Sequence, residues 1–280
     1  MRPLAAVLPL ALLASGIAAP PPLASPLAGA PGRVSFPLVT PQPWILGEGS
    51  TEFGAEGAWI DHERPPFSDA SAGSLDRTRA TMLALASRGL GPRVEGSLRF
   101  GLQGSYGNDA AGHPQPTDVR LDLGYALDGR EDTGVASAFH LLAKVPTAPD
   151  RHGAGTDEAD LGFSLTSGAR THGSGIYGST GLLLLGNPLR NGAQDDVVTY
   201  GLGGWLGPED SLSVTMELEG QAFSRFHNSS GYLHVGVRRA YRRGSGEGIA
   251  GSLSFSRGID GDSSRWGITA GLAWITRRSR

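Results

Sequence analysis

The stretch RVEGSLRFGLQGSYG (residues 93–107) alternates two kinds of residue along almost its whole length. From Val94 to Tyr106 every even position is apolar or glycine, and every odd position between them is polar or glycine. This two-residue period places one apolar face and one charged face on a single extended strand. A strand of about thirteen residues is long, since strands in globular proteins are usually about 5–6 residues.

The same alternation recurs along the chain. It is clear at residues 51–60, 117–127, 211–221 and 265–274. Weaker versions occur at residues 78–87, 133–144, 159–168, 175–185, 196–206, 232–240 and 248–257. The stretch 175–185 is the least regular, because GLLLLG breaks the alternation. We therefore predict twelve strands of roughly nine to thirteen residues.

The connections between these strands alternate between short and long, as they do in bacterial outer-membrane barrels. Strands of about 9–11 residues tilted at about 45° span a bilayer, and closure of the sheet leaves no unpaired edge in lipid. We predict an all-β fold, a transmembrane antiparallel up-and-down β-barrel of about 12 strands with its charged face inside. An even strand number places both chain ends on the periplasmic side. The alternative is an exported soluble β-sandwich or β-helix, in which the apolar face would be a core.

The N-terminal sequence MRPLAAVLPLALLASGIAAPPP has the layout of a secretory signal peptide. We assign residues 1–19 to the signal peptide, with cleavage between 19 and 30, residues 20–48 to an irregular segment, and residues 49–280 to the barrel. A membrane anchor is less favoured, because Pro3 and Pro9 interrupt the apolar run. The sequence leaves open whether residues 20–48 lie in the lumen as a partial plug. The predicted location is the bacterial outer membrane.

Composition narrows the function classes. The formal net charge is −3 and cysteine is absent, so we expect no nucleic-acid partner, no disulfide and no thiolate metal site. The patterns HExxH, GxSxG and GxxxxGK[ST] do not occur in the sequence. We therefore predict no enzyme activity, no metal and no cofactor. A hydrolytic set of His140, Ser164 and a carboxylate is the alternative, although their alternation points them inward, away from lipid.

If the apolar positions face lipid, the polar positions between them line the lumen. The candidates are Glu52, Glu56, Glu95, Arg99, Gln103, Asp118, Arg120, Asp122, His140, Lys144, Asp160, Glu217, Glu219, His234 and Arg265. They form either a solvated wall stiffened by Arg–carboxylate pairs or a selectivity surface. Lys144 is the only lysine in the chain and is a candidate lumen charge. Aromatic residues near strand ends, Trp205 and Tyr232 among them, fit the interfacial girdles of a barrel.

Two stretches carry a family resemblance. LLAKVPTAPDRHGAGTDEADLGFSLTSGAR (141–170) and GSTGLLLLGNP (178–188) resemble the outer-membrane transporter family associated with the meta-pathway of phenol degradation. Here Ala148 replaces a glycine of that family's pattern, and Asn187 stands where aspartate is usual. The resemblance implies an outer-membrane barrel that passes small, often hydrophobic or aromatic, compounds.

The function predicted from the sequence is a passive outer-membrane channel or transporter for small molecules. The alternatives are a closed structural or surface-interaction barrel and a lipid-modifying outer-membrane enzyme. The expected partners are outer-membrane lipid, small-molecule solutes, and the barrel-assembly and periplasmic chaperone machinery that such a fold requires.

Overall fold

A computed structural model describes the chain from residue 41 to residue 276 with gaps. The described ranges are residues 41–63, 77–106, 113–127, 134–148, 159–171, 173–186, 194–208, 211–223, 229–243, 247–259 and 266–276. The chain divides into two units, Met1–Ala30 and Pro31–Arg280, and all described residues belong to the second. The predicted signal peptide, most of the segment 20–48 and Arg265 lie outside the described residues.

The described part of the chain contains thirteen β-strands. They are β1 (Thr51–Glu63), β2 (Arg77–Gly91), β3 (Val94–Tyr106), β4 (Gln115–Pro116), β5 (Val119–Ala126), β6 (Val135–Val145), β7 (Asp160–Arg170), β8 (Ser174–Gly186), β9 (Gln194–Leu206), β10 (Leu212–Phe223), β11 (Ser229–Arg243), β12 (Glu247–Gly258) and β13 (Trp266–Thr276). In the ranges described above, no helix is long and apolar enough to cross a membrane.

The strands form one closed antiparallel sheet. Each long strand pairs with its neighbours in the chain, and β1 pairs with β13 to close the ring. The two-residue strand β4 pairs only with β3, so twelve strands make the wall. The prediction of an all-β antiparallel barrel of about twelve strands is confirmed.

The apolar face of this sheet is the exposed one. Met216 is 60% exposed and Leu272 58% exposed, whereas Glu217, one residue after Met216, is 2% exposed. A soluble sandwich would bury these apolar side chains, and exposed apolar patches beyond a few hundred Å² are rare on soluble monomers. The arrangement is that of a barrel whose outer face meets hydrocarbon.

Both ends of the barrel sequence lie at one rim. Thr51 pairs with Thr276 on one side and with Arg88 on the other, and Arg88 lies just before the tight β2–β3 turn. The β7–β8 and β9–β10 turns meet there as well, since the N–H of Gly207 donates to the Gly173 carbonyl oxygen at 2.8 Å. We call this rim the short-turn end and the opposite rim the long-loop end.

Two predicted strands differ from expectation. The irregular stretch 175–185 belongs to a regular strand, β8, in which Leu182 and Leu184 face outward and Leu183 faces inward. Gly162 on β7 makes room for the inward leucine, because a Cβ there would lie 2.8 Å from Leu183 Cδ1. The predicted strand 117–127 begins only at Val119, because the register against β3 shifts by one residue between the Leu102–Pro116 pair and the Arg99–Arg120 pair.

Candidate functional site: the barrel interior

The predicted lumen residues lie in or beside strands, at positions that alternate with the exposed apolar side chains. The residues placed in this way are Glu52, Glu56, Glu95, Arg99, Gln103, Asp118, Arg120, Asp122, His140, Lys144, Asp160, Glu217, Glu219 and His234. The structure does not bring them together at one point. It distributes them among several local clusters, and part of the chain before β1 meets two of these clusters.

Residues 41–50, which we call the inner segment, run along the interior from the short-turn end. Gly49 and Ser50 exchange backbone hydrogen bonds of 3.0 Å with Gly89 at the rim. Further in, the N–H of Leu46 donates to Glu95 Oε2 at 2.6 Å in a buried contact. The sequence left the position of this segment open, and the structure places its described part inside the barrel.

His140 joins the inner segment to the wall. Its Nδ1 lies 3.1 Å from Asp122 Oδ1, and its Nε2 lies 3.1 Å from the carbonyl oxygen of Gln42. Both partner atoms are oxygens that can accept hydrogen bonds, so both ring nitrogens of His140 are engaged. Ser164 pairs in register with His140, but the Nε2 that a hydrolytic mechanism would need as a base is bonded to Gln42.

An aromatic cluster fills the interior near the short-turn end. The ring centroid of Trp44 in the inner segment lies 6.2 Å from that of Tyr177 and 5.4 Å from that of Trp205, both in edge-to-face geometry. The guanidinium carbon of Arg170 lies 5.3 Å from the Trp44 ring centroid. Tyr177 is 1% exposed and donates its hydroxyl to Glu217 Oε1 at 2.5 Å. These contacts hold the inner segment against β7, β8 and β9.

Inward-facing glycines make room for this aromatic cluster. A Cβ on Gly168 would lie 2.9 Å from Trp44 Cη2 and 2.8 Å from Tyr177 Cβ. A Cβ on Gly175 would collide with the Trp205 ring, and one on Gly203 would collide with Tyr177. The absence of side chains at these three glycines therefore leaves the space that the rings of Trp44, Tyr177 and Trp205 occupy.

This cluster is not predicted from the sequence. The assignment of Trp205 and Tyr232 to an interfacial girdle is wrong for both. Trp205 is buried inside, and Tyr232 shares the inner face with His234, whose ring centroid lies 6.1 Å away. The signal was present in the alternation, since the outward position next to each is a leucine, Leu206 or Leu233.

Lys144 forms ion pairs with two aspartates of the wall at the long-loop end. Its Nζ lies 2.7 Å from Asp160 Oδ2 and 3.9 Å from Asp118 Oδ2, and its side chain is only 12% exposed. Asp118 Oδ1 in turn accepts the backbone N–H groups of Thr147 and Ala148, each at 3.0 Å. The KVPTA stretch therefore contributes both the cation and the backbone donors of one network. Lys144 is a paired structural charge in this geometry.

Opposite charges also meet on the inner face. Glu56 lies in the electrostatic field of Arg99 and His234, and His234 Nε2 lies 3.1 Å from Glu219 Oε1. Arg79, which the sequence analysis did not single out, lies with its Nη1 3.5 Å from Gln103 Oε1. Among the residues described here, no three histidine or carboxylate side chains are grouped to hold a metal ion.

Comparison with known proteins agrees with the architecture. The fold resembles the COG4313 outer membrane channel from Pseudomonas putida F1 with a TM-score of 0.59, at 12% identity over 85% of this chain and 99% of that one. It resembles the NanC porin with a TM-score of 0.53, at 7% identity over 81% of this chain and 100% of that one. It resembles the β domain of the Bordetella autotransporter BrkA with a TM-score of 0.50, at 13% identity over 81% of this chain and 99% of that one.

No family model matches the chain, and no curated protein sequence matches it. At identities this low, the structural likeness establishes the fold alone. The class that fold and interior define is the twelve-stranded outer-membrane β-barrel.

Proposed function

We propose that the protein is a passive channel for small organic molecules in the bacterial outer membrane. One observation carries the proposal: a closed barrel with an exposed apolar outer face encloses a wall of ionic, hydroxyl and glycine residues. A polar interior is what a path for water and small solutes requires. In this proposal the short-turn end faces the periplasm.

The inner segment narrows the path at the short-turn end. It is held by the bonds of Leu46 to Glu95 and of His140 to Gln42, and by the packing of Trp44. The proposed channel is therefore wide at the long-loop end and restricted at the other. The aromatic surface of Trp44 and Trp205 at the restriction agrees with passage of aromatic solutes, as the phenol-degradation family resemblance implies.

Planar-bilayer conductance of the refolded mature protein, with and without residues 20–48, tests the proposal. Steady steps from the intact protein support an open pore, and larger steps after truncation support a restriction by the inner segment. Silence in both forms, together with no uptake of any solute class by loaded liposomes, would overturn the channel function.

A closed surface-interaction barrel is the second candidate, and the filling of the short-turn end favours it. Trimming the loops at 61–76 and 145–158, which lie largely outside the described residues, separates the two functions. A lost surface phenotype with normal permeability would favour the interaction barrel. We propose no enzyme activity, since His140 Nε2 is bonded to Gln42. A phospholipid-cleaving activity that disappears in His140→Ala would contradict this.

A further inference from the structure

Three cationic residues occupy directly opposite positions on successive strands of the inner wall. Arg99 on β3 pairs in register with Arg120 on β5, and Arg120 pairs in register with Lys144 on β6. Arg79 on β2 adds a fourth charge, since it and Arg120 interact electrostatically. Like charges directly opposite on neighbouring strands destabilise a sheet, so this row is a cost to the fold unless something neutralises it.

The nearby carboxylates do not neutralise the middle of the row. Asp118 and Asp160 are engaged with Lys144, and Asp122 is engaged with His140. Arg120 is exposed to the lumen, and within the described ranges its side chain forms no hydrogen bond and no ion pair. Its guanidinium is therefore an available cation beside two other arginines.

The location suits a solute entering from the loops. Arg120 is the second residue of β5 and Arg79 the third residue of β2, and both strands start at the long-loop end. The inner segment runs inward from the opposite rim to Gln42 at His140, and His140 pairs with Gly124, four residues along β5 from Arg120. Arg120 thus lies on the long-loop side of residues 41–50.

We propose that Arg120, flanked by Arg79 and Arg99, is a binding site for the carboxylate group of a small organic acid. A guanidinium presents parallel N–H donors that match the two oxygens of a carboxylate, and it remains charged at every relevant pH. A bound carboxylate also offsets the repulsion among the three arginines. This assignment names the solute class of the channel proposed above and rests on that function.

Calorimetric titration of the full-length protein in detergent micelles tests the site without requiring an open pore. Benzoate is the probe, benzyl alcohol is its uncharged analogue, and phenyl phosphate is the alternative oxyanion. The variants are Arg120→Gln, Arg120→Lys and the matched control Arg257→Gln. Arg257 is exposed on the outer face of β12, so its replacement by Gln removes the same charge outside the lumen.

We expect benzoate binding to weaken about tenfold or more in Arg120→Gln, as for the loss of a hydrogen bond to a charged group. The benzoate affinity of Arg120→Lys should lie between those of the unmodified protein and Arg120→Gln. The affinity of Arg257→Gln should equal that of the unmodified protein. Heat-dependent gel mobility verifies that each variant is a folded barrel. If Arg120→Gln misfolds, the Arg120→Lys comparison decides, and unweakened benzoate binding there overturns the site.

Several results overturn the proposal: no benzoate binding, equal binding in Arg120→Gln, equal binding of benzyl alcohol, or binding of phenyl phosphate alone. Conductance distinguishes this site from the channel function. If the protein shows conductance steps without preferring benzoate over a bulky cation, and does not bind benzoate, the site is rejected and the channel function is kept. Benzoate binding in a barrel that never conducts keeps the site and rejects the channel.

Discussion

The backbone N–H of Leu46 donates a 2.6 Å hydrogen bond to Oε2 of Glu95, 49 residues further along the chain. Glu95 is the second residue of β3 and is buried on the inner face. The bond therefore fixes the height at which the chain before β1 lies against the wall. A carboxylate accepting a buried N–H is a charge-assisted bond, about twice as strong as a neutral one.

Replacing Glu95 with Gln tests this anchor. The amide keeps an acceptor of nearly the same shape but removes the charge, so we expect the inner segment to lose about 1 kcal/mol of local stability. Amide exchange of Leu46, followed by mass spectrometry, should become about fivefold faster, the factor that corresponds to this energy. Glu247→Gln, at an exposed position on β12, is the control. Equal exchange in both variants would contradict the anchor.

The sequence predicted the wall far better than the lumen. Alternation is imposed at every strand by the same two environments, so a period of two is visible without any knowledge of partners. Contacts inside the barrel have no such period. The His140–Gln42 bond joins residues 98 positions apart, and one of its atoms belongs to the backbone of a segment with no regular structure. Composition alone could not identify that acceptor.

Trp44 should restrict the path through the barrel. Its ring packs against Trp205 and Arg170, and Trp44→Ala removes the largest side chain of the inner segment from the interior. We expect single-channel conductance of the full-length protein to rise about twofold, because pore radius limits conduction through a constriction. Trp59→Ala, on the exposed outer face against Trp266, should leave conductance unchanged. Identical conductance for Trp44→Ala and the unmodified protein would exclude Trp44 from the path.

Gly168 should tolerate no side chain. An added Cβ would lie 2.8 Å from the Ile176 carbonyl oxygen and 2.9 Å from Trp44 Cη2, so the wall or the indole has to shift. We expect Gly168→Ala to destabilise the barrel by about 1–3 kcal/mol, the usual cost of overpacking. Urea unfolding of the refolded barrel, followed by tryptophan fluorescence, measures it. Gly57→Ala, where the nearest atom is 4.0 Å away, is the control, with an expected change below about 0.5 kcal/mol.

Lys144 should matter for stability more than for selectivity. Lys144→Met leaves the carboxylates of Asp118 and Asp160 close together, mostly buried and without their cation. Removing one partner of a buried ion pair typically costs about 3–5 kcal/mol, so we expect a loss of that order in urea unfolding. Adding Asp160→Asn should restore part of it, because one of the two carboxylate charges left without Lys144 is removed. If Lys144→Met instead has the unfolding free energy of the unmodified protein but alters the anion preference of the pore, then Lys144 acts on solutes and its structural role is wrong.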